Sequence, residues 1–236
     1  MVLTARVATR PRPPKNQGVA IRLAEAEARI LEAFARRQLT WDVGQPAHVV
    51  SASQALGVFT APPLGVLVFL AIPTAEPIGD PVDVVVPLAS LADAVRDLGT
   101  SGMDLNALPR ATVTPGASPS VLHLPPTEGW QMPIHGLSGD LIPVIDQASE
   151  EFAQRSAGLP PRSQEVIANE IWDRPAFAGL PLRVLHAAHR LGMISNDRAK
   201  VSAAACGPWK RFSTPRGQIF VYQHGPAARL SLHVVR

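Results

Sequence analysis

Between Val43 and Ala75 the chain carries no Asp, Glu, Lys or Arg. A stretch of this length without charge invites a transmembrane reading. A helix spanning a bilayer needs roughly 20 apolar residues. Here Pro62-Pro63 splits the stretch, and the apolar run from Leu64 to Ile72 is too short to cross. No membrane partner is expected. Val66-Leu67-Val68-Phe69-Leu70-Ala71-Ile72 is rich in β-branched and aromatic residues and is bounded by Pro and Gly, which predicts a strand. Both of its alternating faces are apolar, so the sheet that holds it should be covered on both sides.

Val82 to Val86 reads as a second strand, with a loop from Pro73 to Pro81 between the two. Ser90 then opens a short helix, Leu91 to Leu98, with Gly99 as its stop. Upstream, Val19 to Gln38 predicts a charged helix. Leu23, Ala26, Ile30, Leu31 and Phe34 recur at helical spacing, and Glu25/Arg29 and Glu32/Arg36 sit four apart in the favourable order. Met1 to Gly18 holds Arg6, Arg10, Arg12 and Lys15 among three prolines and no acid, so residues 1–18 are expected to form a flexible basic tail.

Thr100 to Gly136 has no clear period and six prolines, and only Val121 to Leu124 resembles a strand. A loop this long in a compact domain is itself evidence of a missed element. A soft boundary is placed near residue 137. Beyond it, helices are expected from Asp140 to Ala157, Arg162 to Trp172 and Pro181 to Leu191. Strands should follow at 200–206, 209–214, 218–223 and 229–235, with Thr214-Pro215-Arg216-Gly217 as a type I turn. The fold class is therefore α+β. A small sheet-containing half (19–137, ending in the Pro-rich segment) precedes a helical and β-meander half (138–236). From Leu159 to Tyr222 the order helix, turn, basic helix, basic hairpin resembles a winged-helix module in architecture, without a diagnostic motif.

The formal net charge is +3, unevenly spread. Residues 1–40 and 138–236 are net basic, while the middle is net acidic. Basic ends suit an anionic partner. Of the 22 basic residues only Lys15, Lys200 and Lys210 are lysines, which with abundant Ala and Pro also fits a GC-rich coding bias. Cys206 is the only cysteine, which excludes internal disulfides and Cys-rich zinc sites and fits a reducing cytoplasm. Lying beside Ala203-Ala204-Ala205, it is expected to be an inert buried thiol.

On the third C-terminal helix, Val184, Leu185, Ala188 and Leu191 form the expected buried stripe, and Arg183, His186 and Arg190 fall on an opposite, exposed ridge. The hairpin adds Lys210, Arg211 and Arg216, close to Trp209 and Phe212. Guanidinium, imidazole and ammonium groups so placed suit contacts to a phosphate backbone. The alternative is an ordinary solvated face with Trp209 and Phe212 in the core.

His186 and His189 stand three apart but lack a third ligand, so neither a metal nor a cofactor is expected; His189 is read as half-buried packing. Gly136-Leu137-Ser138-Gly139 misses the nucleophile-elbow pattern, and no P-loop or dinucleotide fingerprint is present. The leading expectation is a soluble cytoplasmic binding protein, a nucleic-acid-associated accessory or regulatory protein using Arg183, His186, Arg190, Lys210, Arg211 and Arg216. Two alternatives stand beside it. One is a protein–protein adaptor or homo-oligomer using the Val19–Gln38 helix, and the other an enzyme of unrecognised type with a site between the two halves.

Overall fold

The computed structural model describes residues 20–97, 102–113 and 119–223. In chain order its elements are β1 (Ala20–Ile21), α1 (Glu25–Leu39), β2 (Pro46–Ala52), β3 (Ala55–Thr60), β4 (Leu67–Pro73), β5 (Asp83–Pro87), α2 (Leu88–Arg96) and β6 (Met103–Asp104). Then come β7 (Ile134–Leu137), α3 (Ile142–Ser156), α4 (Pro161–Trp172), α5 (Leu182–Arg190), β8 (Lys200–Cys206), β9 (Trp209–Thr214) and β10 (Gly217–Tyr222). The expected tail and the expected strand at 229–235 lie outside the described residues.

Eight strands make one antiparallel sheet in the order β5-β2-β3-β4-β10-β9-β8-β7. The uncharged stretch supplies β2, β3 and β4 near its middle. β4 joins the strands of the first half to those of the second by pairing with β10. The fold is mixed α/β with an antiparallel sheet. The helix–helix–strand order expected for a winged helix is present, but β8 to β10 are not a separate wing. They continue the sheet begun by β2 to β5.

The register explains why the sheet is buried on both faces. On one face Val49, Val58, Val68, Leu70, Phe212 and Ile219 meet the apolar stripes of the helices in the main core. Leu31, Phe34 and Ala35 come from α1, Leu91 and Val95 from α2, and Leu182, Leu185 and Ala188 from α5. On the other face Phe59, Leu67, Trp209 and Phe220 form a second core with Val121, lined further by Val113, Leu124 and Trp130. Val113, Val121, Leu124 and Trp130 all belong to the Pro-rich segment, whose described residues 111–113 and 119–131 lie as a strap over this face of the sheet. Val121 to Leu124, expected as a strand, is a turn whose Val121 side chain is fully buried.

The strap is tied down by a few polar contacts. Ala111 N–H donates to the Val85 carbonyl on edge strand β5 at 2.9 Å, and Gln131 N–H donates to Ala205 at 2.9 Å. His48, buried on β2, places Nδ1 2.7 Å from the Val121 carbonyl and Nε2 2.6 Å from Asp83 Oδ1. Both ring nitrogens are thus engaged, one by the strap and one by edge strand β5. Among the described residues no helix is long and apolar enough to cross a membrane.

Candidate nucleic-acid and partner-binding surface

Helix α5 ends in a Schellman motif. Gly192 N–H donates to the His189 carbonyl at 2.9 Å and Met193 N–H to Ala188 at 2.8 Å. Gly192 takes φ +70°, a conformation that calls for glycine, and Arg37 Nη1 lies 2.8 Å from where a Cβ would stand. Two further carbonyls at this end are met by arginines from distant parts of the chain. Arg37 Nη1, from the last turn of α1, donates to Leu191 O at 2.7 Å. Arg216 Nη1, from the β9–β10 turn, donates to Gly192 O at 3.1 Å and lies 3.3 Å from Ser195 Oγ. Both cations complement the negative end of the helix. Arg190, exposed in the last turn of α5, lies over Trp41 at 5.8 Å from the ring centroid.

Three guanidiniums thus converge where α5 stops. Among the described residues only Arg216 of the three has a carboxylate in reach, Asp197 at 3.5 Å. Asp197 is itself held by the hydroxyls of Ser138 and Ser195 and by Ala199 N–H, which lower its pKa to about 2. It stays ionised, and among the described residues Arg37 and Arg190 have no acidic partner.

The other four residues of the expected set sit elsewhere. Arg183 is ion-paired with Asp173 at 2.6 Å, its side chain 20% exposed, and its guanidinium lies against Gly65. His186 stacks on Trp172 with centroids 4.1 Å apart, and burial, with help from Arg190 and His189, lowers its pKa to about 4. The ridge expected to be exposed is open only at Arg190, because α4 covers the rest. Lys210 Nζ donates to Gly179 O. Arg211 lies over Trp130 at 4.4 Å on the strap face, where burial lowers its pKa. Lys210 and Arg211 are neighbours on β9 and point to opposite faces of the sheet.

Trp209 and Phe212 are core residues. His189 is exposed, not half-buried, and Cys206 is only partly buried, with Sγ 3.6 Å from Glu128 O. Among the described residues no group of three or more His, Cys, Asp and Glu could hold a metal ion.

Beside the arginine cluster runs an open groove of about 790 Å³ between α1, the end of β4 and the β9–β10 turn. Arg29, Arg37 and Arg216 stand on its rim with one acid, Glu27, and Phe34, Leu70, Ile72 and Met193 contribute apolar walls. Sequence reasoning missed both Arg37 and the groove. Arg36-Arg37 at the end of a charged helix was a visible signal, but its partner lies 154 residues away.

Residues 17–115 match the family model described as Domain of unknown function (DUF8010). Residues 125–226 match a second, Domain of unknown function (DUF8185). No curated protein matches the chain in sequence.

Among solved structures, the fold is similar to that of DNA polymerase sliding clamps. A candidate DNA polymerase III beta subunit from Eubacterium rectale superposes with a TM-score of 0.54 at 8% identity, over 88% of this chain and 66% of that one. Caulobacter crescentus pol III beta gives 0.51 at 13% identity, over 83% and 63%. The C. crescentus beta sliding clamp gives 0.51 at 14% identity, over 88% and 66%. The chain spans slightly less than two thirds of these proteins, and 65% of the length of a Pseudomonas aeruginosa sliding clamp.

Proposed function

We propose that this chain is a DNA-associated scaffold that works by binding, with a basic surface for the nucleic-acid backbone and a groove for protein. The observation that carries the reading is the convergence of Arg37, Arg190 and Arg216 at the carboxyl end of α5, with one carboxylate among the described residues to balance them. Guanidiniums presented from a rigid helix end and a hairpin turn suit phosphate oxygens, which ask for charge and N–H donors and carry no sequence information. The sliding-clamp-like fold supports the same reading. Of the six basic residues expected from sequence, Arg190 and Arg216 lead in it. Arg183, His186, Lys210 and Arg211 support the scaffold behind them through Asp173, Trp172, Gly179 and Trp130.

Anisotropy of a labelled 20-base-pair duplex, titrated over a range of salt, tests the proposal. The wild-type protein should bind at low salt with a steep log–log salt dependence. Replacing Arg37, Arg190 and Arg216 together by Gln should weaken binding and lower the slope by about 2.7, from about 0.9 per phosphate contact. Absence of duplex binding at about 50 mM salt, or a triple variant with the wild-type slope, overturns the reading.

A further inference from the structure

The seam between the two halves of the sheet is incomplete, and the groove lies at the gap. On its β3 side β4 is paired along nearly its whole length, from Thr60↔Val68 to Ala55↔Pro73. On its β10 side it is paired only from Phe220↔Leu67 to Gln218↔Phe69. The β9–β10 hairpin turns back at Thr214 to Gly217, so the end of β4 runs on past the hairpin tip. Gly217 makes the close turn possible. It has φ +144°, and a Cβ there would meet Met193 at 2.8 Å and the Phe69 carbonyl at 2.9 Å. Ala71, Ile72 and Pro73 therefore have a neighbouring strand on one side only, beneath α1 and within the groove. An open strand edge is a template for another extended chain.

We propose that this edge receives an extended, acidic and apolar segment of a partner protein, which adds a short strand beside the end of β4. The inference rests on the scaffold reading and names the kind of partner the groove takes. Three features fix the chemistry. The open edge calls for an extended backbone, with main-chain hydrogen bonds giving affinity and alternate side chains giving selectivity. The walls are apolar, and Ile30 of α1 is 52% exposed at the groove with no apolar cover of its own.

The rim favours negative charge. Arg37 has no carboxylate partner among the described residues, while Arg29 and Arg216 share theirs with Glu25 and Asp197. Residues 1–19 and 224–236 do not complement the rim. Residues 1–19 carry four basic side chains and residues 224–236 two arginines, and neither stretch contains an Asp or Glu. An apolar floor offers nothing to a phosphate backbone, so the groove and the arginine cluster bind different chemistry while sharing Arg37 and Arg216.

Two labelled pools of ten-residue peptides provide the probe. One is built from Asp, Glu, Leu, Val and Ser, the other from Lys, Arg, Leu, Val and Ser. The full chain should bind the acidic pool at least about tenfold more tightly than the basic pool. Ile30→Glu, at an exposed position that leaves the main core untouched, should reduce that binding at least about tenfold without lowering the melting temperature. Backbone N-methylation of the acidic pool should do the same, because it removes the donors that strand addition uses.

Equal binding of the two pools overturns the proposal. So does acidic-pool binding that survives both Ile30→Glu and N-methylation. A sedimentation mass that doubles in the wild type and falls back in Ile30→Glu would assign the groove to a second copy of the chain instead. Duplex affinity of the same wild-type and Ile30→Glu preparations separates the two readings. Peptide selectivity can fail while duplex binding persists, and the reverse.

Discussion

The two faces of the sheet are buried by different means. On one, five helices present apolar stripes at regular spacing, and the core they close holds Phe212, Leu31, Leu91 and Ile145 fully out of water. On the other, the described residues 111–113 and 119–131, without helix or strand, cover Phe59, Leu67, Trp209 and Phe220 using a handful of anchors. The comparison teaches that a buried face does not require a periodic partner. It requires apolar area and satisfied backbone groups, and a Pro-rich segment supplies both when a few of its N–H and C=O groups reach the sheet. The two faces should then differ in how far one substitution is felt, because a helix core is close-packed throughout while a strap is held at points.

Phe212→Ala should show the largest effect. It removes a fully buried ring from the helix-side core and should cost about 3–5 kcal/mol in urea unfolding. His48→Leu attacks the strap side and unpairs both the Val121 carbonyl and Asp83. A loss of about 1–3 kcal/mol is expected, with faster amide exchange confined to residues 119–131. If Phe212→Ala loosened only its own surroundings while His48→Leu unfolded the whole chain, the contrast between a continuous core and a pinned strap would be reversed.

A pH response is expected from the helix side. His186 has its pKa lowered to about 4 by burial, against 6.5 for a free imidazole. Between these values the unfolded chain binds the proton more readily, so stability should fall as pH drops from about 6.5 towards 4. His186→Phe should keep the stacking on Trp172 and flatten that decline. Thermal melts at pH 7, 5.5 and 4.5 check this, and an unchanged decline in the variant would place the titrating group elsewhere. Asp197, held at about 2, acts in the same direction at lower pH, its contribution being lost as pH falls below about 3.8.

The smallest effect is expected at Ala178, which has φ +53° in the turn between α4 and α5. Ala178→Gly relieves the left-handed strain but frees the unfolded chain, so stability should change by less than about 1 kcal/mol.

How much of this was legible follows the same division. The periodic elements could be read. The β-branched run of β4 and the hairpin around Pro215-Arg216-Gly217 stand within a few residues of the ends expected; α1 instead begins at Glu25, after the short strand Ala20–Ile21, and of its expected stripe Leu31 and Phe34 are buried while Ala26 and Ile30 are exposed. The β2–β3 hairpin was missed because its two-residue connection, Ser53-Gln54, lacks the Gly, Asn or Asp that usually marks such a turn. The strap was missed because Val113, Val121 and Trp130 follow no period; only the sheet above them gives them a common role.

At the candidate site, helical spacing put Arg183, His186 and Arg190 on one side of α5 but could not tell that α4 would cover two of them. Arg37 joined the site through a contact between chain segments 154 residues apart, which no local pattern encodes.

The most direct measurement of the central claim is amide hydrogen exchange of the full chain with and without saturating duplex DNA at low salt. New protection is expected at residues 36–41, 190–193 and 214–218, where Arg37, Arg190 and Arg216 converge, with residues 119–131 on the strap face unchanged. Protection centred on the strap face, or none anywhere at saturating duplex, would contradict it.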